Sequence, residues 1–311
     1  MSLFLPSIGS RQQGSSRKMK NRTFIPGSEW VYFKIYTGTK TADVILKNEL
    51  NGYIKDVMKN DYIDKWFFIR YTDPDFHLRL RLHLKETRDF NYIFNRFFEM
   101  FFPVVDSGLV WNIQCDTYQR EMERYGLETI SFVEDLFFID SVFVIKLLHK
   151  LNEKNPEQHR WKLALVLIDS FLTVFFDELQ QRKDLLTTMA DSFKKEFGFV
   201  NHQTNKQLND KYRAYRKEIE YAMLWENEVT DIVDIIKDRR RSLIPVTEKI
   251  IKLRKTRGFQ MSFNSLLTSI IHMTMNRWFR TKNRLHEMVI YEFLSRYYAS
   301  EIAKNITNIR K

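Results

Sequence analysis

Only one cysteine, Cys115, occurs in the 311 residues. It excludes an internal disulfide framework and any multi-cysteine metal site, and fits a reducing, cytoplasmic setting. Glycine (9) and proline (6) are scarce. With so few residues that break or turn a chain, and with abundant Leu, Ile, Lys and Glu, a helix-rich fold with short connections is expected. No apolar run approaches the ~20 residues of a membrane-spanning helix. The opening MSLFLPSIGS has too short an apolar stretch, and no basic residue before it, for a signal peptide. GxxxxGK[ST], GxGxxG and GxSxG are all missing, and the seven histidines include no HExxH or other metal-ligand spacing.

What is present is aromatic and basic. The chain carries 26 Phe and a formal net charge of +11. The charge points to an anionic partner without separating nucleic acid, acidic peptide and anionic small molecule. The length allows one large domain or two ordinary ones. RQQGSSRKMKNR is polar and basic, so residues 1–23 read as a flexible basic arm.

Beyond the arm, WVYFKIYT (Trp30–Thr37) has the β-branched and aromatic composition of a strand. KTADVILKNELNGYIKDVMKN has helical apolar spacing. KWFFIRYT (Lys65–Thr72) reads as a strand closed by the turn signal Asp73-Pro74-Asp75, and HLRLRLHLK as the next. Thr87–Phe102 is expected to be helical and stopped by Pro103, and Leu109–Tyr118 to be a further strand. This β-α-β-β-α-β order is that of a ferredoxin-like split unit over residues 24–126. From 127 to 311 the pattern is helical. Ser131 and Glu134 stand at capping-box spacing before a long apolar helix. Further helices are expected at His159–Gln181, from Asn205, and over Val229–Arg254, Met261–Arg280 and Arg284–Ala303. The fold class is therefore α+β, with the helices packed on the sheet in one integrated unit, 24–311.

Three clusters carry candidate chemistry. In HLRLRLHLK, His77, Arg79, Arg81 and His83 alternate with leucines, so they share one face of a strand about 6.6 Å apart. Such a face is either simply solvated or a binding floor, and arginine's planar fork suits carboxylate. In YQREMERYG, Arg120 and Arg124 stand four apart, as do Glu121 and Tyr125. In HMTMNR, His272 and Asn276 share a helix face. A lone histidine in an apolar helix is most often a core residue, yet its ordinary pKa lets it serve as acid or base. The runs KYRAYRK and DRRRS read first as solvated helix faces.

Together the stretches WVYFKIYTGTKTADVIL, WFFIRYTDPDFHLRLRL, YQREMERYG, VEDLFFIDS and HMTMNR resemble the glutamate-elimination domain of class I lanthipeptide dehydratases, in its free-standing, thiopeptide-type bacteriocin biosynthesis form. They run from about Trp30 to Arg277 in the family's order. One departure is Leu127, where the family has a second glycine after RYG. The resemblance implies a lyase that removes the α-proton and expels glutamate from glutamylated Ser or Thr of a precursor peptide, leaving dehydroalanine or dehydrobutyrine. It implies Arg79, Arg81 and Arg120 as clamps for the leaving carboxylates and the enolate, and His272 as the proton-transfer group. Arg70, His77, Glu121, Arg124, Tyr125, Asn276 and Arg277 follow as substrate-binding or supporting positions. No metal or organic cofactor is implied. The expected partners are the glutamylated precursor peptide, a separate tRNA-dependent glutamyl-transferring dehydratase half, and a cyclase. Direct nucleic-acid binding and membrane insertion are not expected, and self-association as a homodimer stays open. Two rivals remain. One is a pyridine synthase-like cycloaddition enzyme of thiopeptide maturation. The other is a non-catalytic peptide- or tRNA-binding module, which the net charge of +11 favours.

Overall fold

The computed structural model describes residues 21–151, 156–199, 202–227, 230–256 and 259–309. The expected basic arm lies outside these apart from residues 21–23. Of those, Arg22 pairs with Glu123 at 2.7 Å, and Thr23 belongs to the short strand β1 (Thr23–Phe24).

Strand β2 (Trp30–Thr37) leads into α1 (Thr41–Ile45), a π-turn (Leu46–Leu50) and α2 (Asn51–Lys59). The hairpin β3 (Ile63–Thr72) and β4 (Phe76–Leu84) follows, then α3 (Phe90–Asp106) and β5 (Val110–Cys115). These four longer strands form one antiparallel sheet in the order β3-β4-β2-β5. Each crossover helix thus skips a strand, as the split β-α-β-β-α-β reading requires.

Two local expectations fail. Pro103 does not stop α3, which continues to Asp106. The proline falls in the helix's last turn, and its carbonyl accepts from Ser107 N–H at 3.1 Å, so little is lost. The last strand breaks after Cys115, and β6 (Tyr118–Gln119) turns away to pair with β1.

A short helix α4 (Met122–Tyr125) leads to α5 (Ile130–Lys150), α6 (Pro156–Phe175), α7 (Leu179–Glu196) and α8 (His202–Met223). Helices α9 (Asp231–Arg254), α10 (Phe263–Trp278) and α11 (Asn283–Ile309) complete the described chain. The expected capping box at α5 does not form. Thr129 precedes the helix, and Glu134 is turned inward to other partners. Helix α7 has no counterpart in the sequence reading, because its charged residues mask the buried Leu185, Leu186, Met189 and Phe193. Among the described residues no helix is long and apolar enough to cross a membrane.

The helices cover both a face and an edge of the sheet. Leu78, Leu80, Leu82 and Leu84 are buried in a core that also holds Phe97, Leu167, Ile270 and Leu294. Strand β3 lies at the sheet's end, where backbone groups lack a neighbouring strand. Side chains stand in for it. Phe68 N–H donates to Ser141 Oγ at 3.1 Å. Arg70 N–H donates to Asn276 Oδ1 at 2.9 Å, and Asn276 Nδ2 donates back to Arg70 O at 2.8 Å.

Buried ion pairs lock this junction. Asp43 of α1 accepts from Arg70 Nη2 at 2.6 Å, from Arg280 Nε at 2.6 Å and from Arg160 Nη2. Burial alone would raise its pKa, but these three guanidiniums outweigh burial and hold it below its ordinary value. Asp140 of α5 accepts from Arg239 Nε and Nη2 at 2.9 and 2.7 Å, and from Thr274 Oγ1. Arg239, read as part of a solvated DRRRS face, is thus a fully buried tie between α9 and α5.

Removing one partner from such a site strands buried charge. Asp43→Asn is expected to cost about 3–5 kcal/mol in chemical denaturation. Glu196→Gln, which breaks the exposed pair with Arg284, should leave the midpoint nearly unchanged. A loss below about 1 kcal/mol for Asp43→Asn would contradict the assigned role.

Candidate active site

The polar parity of β4 is covered at His77 and Arg81, while Arg79 and His83 stay partly exposed. His77 is fully buried and Arg81 is only 9% exposed. Arg81 lies opposite Tyr32 of β2 and Phe67 of β3, and Arg79 opposite Lys34 and Ile69. The Arg81 guanidinium rests 4.5 Å from the Tyr118 ring centroid, 4.8 Å from Tyr32 and 5.3 Å from Phe67. Ring faces stabilise a cation but accept few of its hydrogen bonds. Accordingly Arg81 Nε is buried without a hydrogen-bond partner.

Arg79 is held on two sides. Its guanidinium stacks 3.3 Å from the Tyr71 ring centroid, and its Nε–H donates to His77 Nε2 at 3.1 Å. His77 Nδ1 stands 2.8 Å from the Asp75 carbonyl, which can only accept. These two contacts require the neutral Nδ1–H tautomer. Burial lowers the His77 pKa, the Asp75 carbonyl opposes this, and Arg79 and Lys34 lower it further. Among the described residues, neither Arg79 nor Arg81 forms an ion pair with a carboxylate. The nearby carboxylate of Asp116 bonds to Lys34 and reaches Arg79 only at longer range.

Arg277 joins them from α10. It is fully buried, and burial lowers its pKa to about 10 against the pull of Asp140. Nη1 donates to Met273 O at 3.0 Å and lies 3.8 Å from Asp140 Oδ2. Nε and Nη2, the edge that grips a carboxylate side-on, have no hydrogen-bond partner. Phe137 connects the two arginines. Arg277 lies 4.4 Å from its ring, and Phe67, which Arg81 contacts, packs 5.5 Å from it. Tyr125 meets Phe137 edge-on at 5.4 Å. Burial raises the Tyr125 pKa to about 12, with Glu121 adding to the rise and Arg124, Arg277 and Arg81 opposing it, and the Arg124 guanidinium lies 5.4 Å from its ring.

Gly126 sets the chain's path beside Tyr125. Its φ is +76°, and a Cβ there would fall 2.7 Å from Thr129 Oγ1 and 2.9 Å from Met261 Sδ. Only glycine fits both demands. Leu127, where the resembling family has a second glycine, is 52% exposed, so that departure stays on the surface.

Other expected site residues are placed differently. Arg120, expected as a clamp, has its guanidinium fully engaged by Glu134, with Nε–Oε1 at 2.6 Å and Nη2–Oε2 at 2.7 Å. Its Nη1 donates to Asn21 O at 3.0 Å, and Tyr118 OH also donates to Glu134. Glu121 pairs with Arg124 at 3.4 Å. Arg70 and Asn276 serve the β3 edge as described. His272 meets a carboxylate, its Nδ1 2.9 Å from Glu287 Oε2. Sequence reasoning missed Asp43, Glu134, Asp140 and Glu287. For Glu134 and Asp140 a signal existed: of the three carboxylates inside a 21-residue apolar helix, any that face inward need buried partners.

Comparison with known proteins follows this geometry. Residues 30–298 match the family described as lantibiotic biosynthesis dehydratase C-terminal. The nisin biosynthesis protein NisB of Lactococcus lactis subsp. lactis is 24% identical over 290 residues, 91% of this chain and 27% of its own length. The subtilin biosynthesis protein SpaB of Bacillus subtilis is 24% identical over 295 residues, covering 93% and 27%. The chain thus spans about a quarter of the curated relatives' length. Among solved structures, the tRNA-dependent lantibiotic dehydratase MibB from Microbispora sp. 107891 superposes with a TM-score of 0.68 at 16% identity, covering 97% of this chain and 29% of that one. TbtD, the pyridine synthase from thiomuracin biosynthesis, gives 0.64 at 11% identity, covering 88% and 98%. These superpositions establish the shared α+β fold, and with 269 of its residues under the family match (298 − 30 + 1), the chain belongs to the lantibiotic dehydratase C-terminal family.

Proposed function

We propose that this chain eliminates glutamate from glutamylated Ser or Thr of a precursor peptide. A base takes the Cα proton, the released pair forms the Cα–Cβ double bond, and the Cβ–O bond breaks. Glutamate departs as a carboxylate with the electron pair of the broken Cβ–O bond, and dehydroalanine or dehydrobutyrine remains in the peptide. The partners in this reading are the precursor peptide and a tRNA-dependent glutamyl-transferring dehydratase half.

The observation that carries the reading is the set of arginines without carboxylate saturation. Arg81 and Arg277 each keep buried N–H donors without partners, and Arg79 is aimed by a neutral histidine. Expelled glutamate bears two carboxylates, and preorganised donors stabilise charge that develops as the bond breaks. Cycloaddition releases no such group. Arg79, Arg81 and Arg277 are assigned to the glutamyl carboxylates and the enolate, with Arg124 beside Tyr125 as a further cation. Arg120 is assigned to positioning, since it anchors β6 and α5 through Glu134. His272 is assigned the proton transfer.

Three outcomes follow. With a glutamyl-transferring half supplied, the wild-type chain should release glutamate from the esterified peptide by mass spectrometry. Loss of a leader fragment instead would favour the pyridine synthase reading. Arg81→Ala and Arg79→Ala should each slow elimination by about 10²-fold or more, so that glutamylated peptide accumulates. Full dehydration by either variant would overturn the arginine assignment. The third outcome concerns pH. The folded His77 pKa lies below its ordinary 6.5, so the stability it contributes is fully present above pH 6.5 and lost as pH falls through the folded value. Melting temperatures over about pH 5 to 8 should show the wild type losing stability relative to His77→Gln on acidification. Parallel curves would contradict a neutral His77.

A further inference from the structure

The buried carboxylates of the described chain are mostly matched by arginine or lysine. Asp43 has Arg70, Arg160 and Arg280, Glu134 has Arg120, Asp140 has Arg239, and Glu292 has Arg296 and Lys194. Two differ: Asp169, held by Tyr298 OH and Trp225 Nε1, and Glu287 of α11, which faces a histidine. The Glu287 side chain is fully buried, and among the described residues it pairs with no lysine or arginine. Its partners are His272 Nδ1, at 3.0 Å from Oε1 and 2.9 Å from Oε2, and Tyr291 OH, which donates to Oε2 at 2.7 Å. Tyr291 lies one turn along the same helix and is itself fully buried. Burying a carboxylate without a permanent cation is costly unless a specific interaction requires it.

We propose that Glu287 is the positioning residue for His272, with Tyr291 fixing the carboxylate. This rests on the reading of His272 as the proton-transfer group. A carboxylate only accepts, so Nδ1 must carry the proton. In the neutral ring the lone pair then lies on Nε2, on an imidazole that keeps 19% exposure at the side chain while Glu287 keeps none. Nε2 is the atom that takes the Cα proton of the glutamylated residue. The ring then holds two protons and a positive charge, which Glu287 balances at hydrogen-bonding distance. The charge is transient on the histidine, and Glu287 answers it without a permanent counter-ion of its own. Tyr291 occupies one oxygen and keeps the carboxylate turned to the ring. The arrangement follows the general logic in which a third group orients a base and fixes its tautomer.

The test uses the full chain with esterified peptide in single-turnover assays, together with ¹⁵N-imidazole NMR, the His272 signal being identified by its loss in His272→Ala. Glu287→Gln is expected to lower the elimination rate constant by about 10²- to 10⁴-fold with little change in peptide KM. Glu287→Asp should recover part of the rate, and Tyr291→Phe should give a smaller loss. In a His272→Ala background, Glu287→Gln should have less than about a twofold further effect, because the two residues act as one unit. The NMR spectrum should show the Nδ1–H tautomer at His272 in the wild type and a changed tautomer balance in Glu287→Gln. An unchanged tautomer with an unchanged rate, or losses that multiply in the double variant, would overturn the proposal. If Glu287→Gln fails to fold, Glu287→Asp and Tyr291→Phe carry the same comparison. A wild type that shows the Nδ1–H tautomer yet releases no glutamate would instead overturn the elimination reading.

Discussion

One carboxylate, Asp43, joins the two halves of this fold. It lies in the first crossover helix, yet its partners come from β3, from α6 and from the chain after α10. A buried charge with three guanidiniums leaves little freedom in how sheet and helices meet, because any slippage strands several charges at once. Asn276 and Ser141 add a second constraint by replacing the missing strand beside β3. The helical part is therefore registered against the sheet edge by directional bonds as well as by apolar packing. That registration brings α10, with Arg277, over the face that carries Arg81.

Within this frame the arginines fall into two populations. Arg70, Arg120, Arg160 and Arg239 have carboxylate partners and hold elements together. Arg79 and Arg81 rest on aromatic rings, and Arg277 has one loose acid contact at 3.8 Å. Rings tolerate a guanidinium while leaving its N–H groups available. In the proposed reading, aromatic rings in place of an acid leave these cations open to an incoming anion, and the abundant Phe and Tyr serve that site as well as the core.

Much of the sheet was legible in the sequence because its signal is local. Alternation in HLRLRLHLK defines a strand and its two faces without tertiary information. The helical run after Leu127 was legible for the same reason. What the other face of β4 meets was not legible, since its cover arrives from β6, α5 and α10, far away in sequence. Arg120 and Arg124 illustrate the limit. They share a motif and a chemistry, and only the position of Glu134 in space separates the buried anchor, Arg120, from Arg124 with its looser pair to Glu121. Arg239 likewise looked like surface inside DRRRS, because its partner Asp140 lies 99 residues earlier. Glu287 was passed over because a single acid in a mixed helix has no local mark.

In the proposed reading Arg81 and Arg277 together receive the carboxylates of glutamate. Calorimetric titration of free L-glutamate into the full chain tests it without any peptide or partner enzyme. The account predicts saturable binding that weakens with salt and is lost in Arg81→Ala and in Arg277→Met, the latter retaining its fold because Arg239 and Thr274 still satisfy Asp140. Binding of equal strength in wild type and both variants, or none in the wild type, would contradict it.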